Sequence, residues 1–180
     1  MHLEQFNAAD AADAIAVVRV WADIPWWIGA LVAGRPYRDV DALAARAAEL
    51  ATNWNADDLE AAFAHHPRIG ERPTGGGAEA AASRSEQAAM DAAADDVAAR
   101  IAAGNAAYED RFGRVFLIRA AGRSPEEMLG ELQRRLDNDP DTERGEAAQQ
   151  LAEIALLRLR SSIDEDRAWI DEDPARKAVP

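Results

Sequence analysis

The stretch "RVFLIRA", residues 114–120, decides the fold class. Val115, Phe116 and Ile118 would suit a short strand. A strand needs a partner, however, and no second one is available to pair with it. The stretch therefore reads as a helix end or irregular chain, and the segments on either side of it read as helix.

Just upstream, "GNAAYEDRFG" offers Asn105 as the cap of a short helix holding Tyr108, with Gly113 ending it. Just downstream, "GRSPEEML" has the clearest helix start in the chain. Ser124 is the N-cap, Pro125 takes the first helical position and Glu127 closes a capping box. "TERGEAAQQLAEIALLRLRSSIDEDRAWI" is the last long helix.

Towards the N-terminus the pattern repeats. Asn7 caps a helix with Ile15, Val18 and Trp21 at helical spacing, limited by Pro25. Trp26, Trp27, Ile28 and Leu31 form the next segment, stopped by Gly34-Arg35-Pro36. Leu43, Ala47 and Leu50 line one face of another helix. Asn55 caps one that carries Leu59 and Phe63 and ends at Pro67. "IGERPTGGG", residues 69–77, is a loop, and a long helix follows from about Ala78 or Ser83 to Ala103. The expected fold is an all-α, single-domain bundle of roughly seven to nine helices. Residues 1–172 form the domain and residues 173–180 a charged, disordered tail.

Composition narrows the function. The 180 residues carry 33 acidic and 20 basic side chains, a net charge of -13. Nucleic acid and anionic membranes need clustered positive charge, so neither is an expected partner. Without cysteine there is no disulfide, thiolate nucleophile or Cys-ligated zinc. No run of about 18 apolar residues spans a membrane. The acidic start lacks a signal peptide's basic and apolar regions, so a cytoplasmic protein is expected.

Candidate chemistry gathers in "AHHPRIGERPTGGGAEAAASRSEQAAM", Ala64–Met90. A residue before proline is pushed out of helical geometry, which places His66 at or just past a helix end. Its imidazole titrates near neutral pH and suits an acid or base. Ser83, Glu86 and Gln87 fall at i, i+3 and i+4 and share a helix face, which Met90 extends by a turn. Ser83 also fits a plain capping box, and a helix N-terminus there would favour an anion. A metal site would need His65 and His66 plus a carboxylate, but zinc ligands more often share one helix face, as in H-x-x-x-H. Arg158 interrupts the apolar stripe of Leu151 and Ile154. It either packs its stem and pairs its head, or aims a planar fork into a pocket. The tryptophans, Tyr108 and Phe112 read as packing or as a dimer surface.

Together these motifs resemble the OHCU decarboxylase family, OHCU being 2-oxo-4-hydroxy-4-carboxy-5-ureidoimidazoline, an intermediate of purine degradation. The resemblance runs through "WADIPWWIGALVAGRPYRDVDAL", "HPRIGE", "SRSEQAAM", "NAAYEDRFGRVFLI" and "EIALLRLRSSI". It implies an all-helical fold, commonly a homodimer, and cofactor-free decarboxylation to S-allantoin. It places the catalytic histidine on His66, with Glu86 beside it. It puts substrate contacts on Pro67, Ser83, Gln87 and Arg158, and on the backbone of Ile118, Arg119, Ala120, Ala121 and Gly122. The sequence departs from the family pattern at Ala88-Ala89, where glycine is usual, and at Ile24, where serine is usual. Arg68 and Glu71 are expected to pair or to shape their loop. Alternatives of other classes are a helical dimerisation or binding module without catalysis, and a metal-dependent hydrolase using His65 and His66.

Overall fold

The computed structural model describes residues 1–63, 66–71, 78–86, 90 and 93–164, apart from the side chains of residues 79, 80, 85 and 86. Nine helices lie among them: α1 Leu3–Ala8, α2 Ala11–Trp21, α3 Pro25–Ala33, α4 Val40–Ala51, α5 Ala56–Phe63, α6 Ala78–Glu86, α7 Asp95–Phe112, α8 Pro125–Arg135 and α9 Pro140–Ser162. No strand occurs among the described residues, so the all-α reading holds. The charged tail lies outside them.

Local chemistry explains most helix starts. Asp10 accepts from the Asp13 N–H at 2.9 Å, and Asp39 from the Ala42 N–H at 2.6 Å. Asn55 and Asp58 bond each other's backbone N–H groups, both at 3.0 Å. Ser124 and Glu127 form the expected capping box, with Pro125 behind the cap. Each cap satisfies N–H groups that a helix start leaves without partners.

Three expectations need correction. Asn7 lies inside α1, and Asp10 starts α2 instead. The Asn7 amide brackets Tyr37, donating to its carbonyl at 2.8 Å and accepting its N–H at 2.9 Å. Asn105 sits in the middle of α7, not at a cap. The long helix expected up to Ala103 is two helices, α6 ending at Glu86 and α7 starting at Asp95. Ser83 is therefore an interior residue of α6, because the alanines before it propagate helix without a cap. Met90 lies beyond the end of α6 and packs near Gly70.

The buried side chains fall into two clusters. The larger joins α2, α3, α4 and α9 around Trp21, Trp27, Leu31, Leu43, Leu151 and Leu159. The smaller joins α7 and α8 around Ile101, Tyr108, Phe116, Met128 and Leu132. Here α7 and α8 approach closely because Gly104 has no side chain: a Cβ there would lie 2.6 Å from Leu132 Cδ2. The 114–120 stretch threads between the clusters. Leu117 belongs to the larger one, and Phe116, Ile118 and Ala120 to the smaller. Trp26 stands apart, 39% exposed, with its indole N–H on Asp58.

Candidate active site

Three segments build a cleft along this seam. The first is the turn after α5. The described part of α5 ends at Phe63, and the His66 N–H donates to the Phe63 carbonyl at 3.1 Å. His66 itself lies in a bend outside the helix, as the following proline favours. Arg68 forks onto Glu109 of α7, with Nη2 at 2.8 Å, and makes only longer contacts with Glu71, 3.4 and 3.5 Å. The Arg68 guanidinium holds the Glu109 carboxyl below its ordinary range. Asn105 Nδ2 donates to the Ile69 carbonyl at 2.9 Å. Gly70 follows at φ +85°, a left-handed turn that favours glycine.

The second segment is the 114–122 strap. An extended chain without a neighbouring strand must find other partners for its buried peptides, and here side chains from distant helices provide them. The Arg119 N–H donates to Gln150 Oε1 at 2.9 Å, and Arg135 Nη1 donates to the Leu117 carbonyl at 2.8 Å. Arg119 itself pairs with Glu153 at 3.1 Å and reaches the Ala121 carbonyl at 2.6 Å. The Arg123 N–H closes the turn onto the Ala120 carbonyl at 3.0 Å, and Gly122 takes φ +81°.

The third segment is α6 with α9 behind it. Arg158 is buried, and its Nη2 donates to Ser83 Oγ at 3.1 Å while Nη1 donates to the Val20 carbonyl at 3.0 Å. The Ser83 hydroxyl is thus engaged by a cation from another helix and does not cap its own helix.

His66, Pro67, Ile69, Ser83, Ile118 and Ala120 line one cavity with Phe116, Leu117 and Ile154. Its volume is about 20 Å³, room for about one water. Arg158 meets it through Ser83. Arg119 and Ala121 are partly buried in the strap, held by Gln150 and Glu153, and Gly122 is exposed at its end. Glu86 ends α6, three residues after Ser83, with its side chain outside the described residues. Gln87 and His65 also lie outside them. Among the described residues no group of three or more His, Asp or Glu side chains is placed to hold a metal ion, and no helix is long and apolar enough to cross a membrane.

Sequence reasoning missed the group that holds the strap from below. Arg135 and Glu143, both fully buried, pair through Nε at 3.0 Å, and Tyr108 donates its hydroxyl to the same carboxylate. Tyr108 does pack, against Phe112 and Phe116, but its phenol also belongs to this network. The only local signal was an arginine and a glutamate on either side of a helix turn, in a chain full of both.

Comparison with known proteins identifies the family. The family model described as OHCU decarboxylase matches residues 7–160. A 2-oxo-4-hydroxy-4-carboxy-5-ureidoimidazoline decarboxylase of Amia calva is 35% identical over 74% of this chain and 78% of its own length. The uric acid degradation bifunctional protein TTL of Arabidopsis thaliana is 33% identical over 66% of this chain, which spans only 37% of that longer protein. A crystal structure of OHCU decarboxylase in the presence of (S)-allantoin superposes with a TM-score of 0.68 at 26% identity, covering 79% of this chain and 94% of that one. The match covers the cleft-forming turn, α6, the strap and most of α9, and the chain belongs to the OHCU decarboxylase family.

Proposed function

We propose that this chain is a carboxy-lyase that decarboxylates OHCU to (S)-allantoin in urate degradation, with His66 and Glu86 as its proton-transfer pair. The family match over residues 7–160 carries the activity. The meeting of His66, Ser83 and the strap at one cleft supports the site. A binding module without catalysis is not favoured, because the matching relatives are enzymes of this reaction and pathway.

The chemistry suits these residue types. The bond between the ring carbon and its carboxyl breaks, carbon dioxide leaves, and the electron pair stays on the ring carbon. An adjacent C=N or carbonyl system takes up that charge, and donors aimed at it lower the barrier. The carbon that lost carbon dioxide still carries its hydroxyl, so the product of this step is an enol. Its hydroxyl gives up a proton to become the ring carbonyl, while a proton delivered to one face of the neighbouring ureido-bearing carbon sets the S configuration, the task of His66 with Glu86. Ser83, held by Arg158, and the strap peptides from Ile118 to Gly122 present hydrogen-bonding groups to the ureide edges, with Pro67 shaping the wall. Gln87 adds an amide to the same recognition. No step draws on a cofactor. The chain works as a homodimer in the cytoplasm, which sedimentation and cell fractionation test.

The direct experiment follows freshly made OHCU by circular dichroism. Purified protein speeds the appearance of (S)-allantoin, and failure to do so ends the assignment. His66→Ala and Glu86→Ala fold normally and lose most activity. Full activity in both moves the site elsewhere.

A further inference from the structure

The turn that carries His66 is fastened to α7 at two points one helical turn apart. Asn105 bonds the Ile69 carbonyl, and four residues later Glu109 takes the fork of Arg68. Positions i and i+4 share a helix face, so α7 offers the turn a single docking rail. We propose that Asn105 is a positioning residue for His66, acting through the Ile69 carbonyl to set where the imidazole meets the cleft. The inference rests on His66 belonging to the proton-transfer pair.

The turn has little slack. Upstream, the His66 N–H is held by the Phe63 carbonyl at 3.1 Å. Between the two anchors, Pro67 has a fixed φ. Ile69 faces two ways: it lines the cleft beside His66 and Pro67, while its carbonyl is held by Asn105. Moving that carbonyl therefore moves the cleft wall.

The two fastenings differ in kind. The side chains of Arg68 and Glu109 are 44% and 26% exposed, and an ion pair open to solvent fixes geometry weakly. Asn105 is buried, so its bond is the one that defines the distance. Its orientation is settled, because a carbonyl only accepts and the amide nitrogen must face it. That leaves Asn105 Oδ1 sealed from solvent with no hydrogen-bond partner. A core chosen for stability alone avoids an orphaned acceptor. What the asparagine supplies is a donor at one place.

The test compares Asn105→Leu and Asn105→Ala with His66→Ala in the full chain. It reads kcat, KM and the enantiomeric composition of the allantoin formed, after subtracting spontaneous decay. Leucine keeps the branched shape and removes the donor. Each Asn105 variant should lose about ten- to hundredfold in kcat, as a small misplacement of a reacting group does. KM should stay within about twofold, and the enzymic product should shift towards the racemate. A residue that serves only the fold would lower the yield of folded protein and leave kcat per folded molecule and the enantiomeric ratio unchanged. If both variants turn over like the parent per folded molecule while His66→Ala is inactive, the proposal falls and the reading of His66 stands. If His66→Ala is fully active, both fall. If neither Asn105 variant folds, Asn105 is a core residue and the proposal falls.

Discussion

The carbonyl of Leu117 lies 2.8 Å from Nη1 of Arg135, so a buried guanidinium grips the strap near its middle. The same guanidinium is neutralised by Glu143, itself fully buried. Removing one partner of such a pair leaves an uncompensated charge, so Arg135→Ala should lower stability by about 3–5 kcal/mol in urea unfolding. Replacing both partners, as Arg135→Met with Glu143→Leu, should recover most of that loss. Activity should not recover with it, because the Leu117 carbonyl still lacks its donor.

Burial pushes the Tyr108 phenol up to about 12, helped by its hydrogen bond to Glu143, while Arg135 pulls the other way. The folded value lies above the ordinary 10.0, so the protonated phenol stabilises the fold. That contribution is complete below pH 10 and is lost as pH rises towards 12, by at most about 1.4 kcal/mol per pH unit. Urea midpoints of Tyr108→Phe and the parent, compared between pH 8 and 11, should converge as the parent loses this stabilisation.

Glu109 titrates in the opposite sense. Its carboxyl is held below 4.5, first by the hydrogen bond from Arg68. The folded value is the lower one, so the stabilisation is present above 4.5 and fades as pH falls through the folded value. Glu109→Gln should melt slightly lower than the parent at pH 7, and the gap should close towards pH 3. The pair is open to solvent, so the gap should also shrink with salt.

Ser83→Ala removes the hydroxyl on which Arg158 Nη2 rests. A hydrogen bond to a charged group contributes about 1.5–3 kcal/mol, and a loss of that size is expected in chemical unfolding. Turnover should fall as well, since Ser83 lines the cleft. Arg158→Lys should not substitute, because one ammonium on a flexible stem lacks the planar fork that spans Ser83 and the Val20 carbonyl.

The sequence announced what is decided locally. Ser124 with Glu127 and Pro125, and Asn55, mark helix starts through groups only a few residues apart, and each of these starts stands where it was expected. Pro25, expected to limit the helix before it, also takes the first position of α3. His66 was legible for the same reason, because Pro67 constrains its neighbour. Asn7 and Asn105 misled because an asparagine amide bonds a distant carbonyl as readily as the N–H groups of its own helix. The break between α6 and α7 was hidden because no glycine or proline marks the residues around it. The strap was read correctly as irregular, but its supports, Gln150 and Arg135, come from other helices and leave no local pattern.

The cleft takes its walls from two separately packed cores, with Leu117 and Ile154 from one and Ile69, Phe116, Ile118 and Ala120 from the other. Stability and the shape of the cleft should therefore respond to different substitutions. Trimming Leu43 or Leu151, deep in the larger core, should lower the melting temperature and leave the cleft's shape intact in the molecules that stay folded. Trimming Ile154 or Ile118, which line the cleft, should reshape it as well. Distance from the boundary between the cores, more than burial itself, then sorts which substitutions a drifting sequence can accept without altering its catalysis.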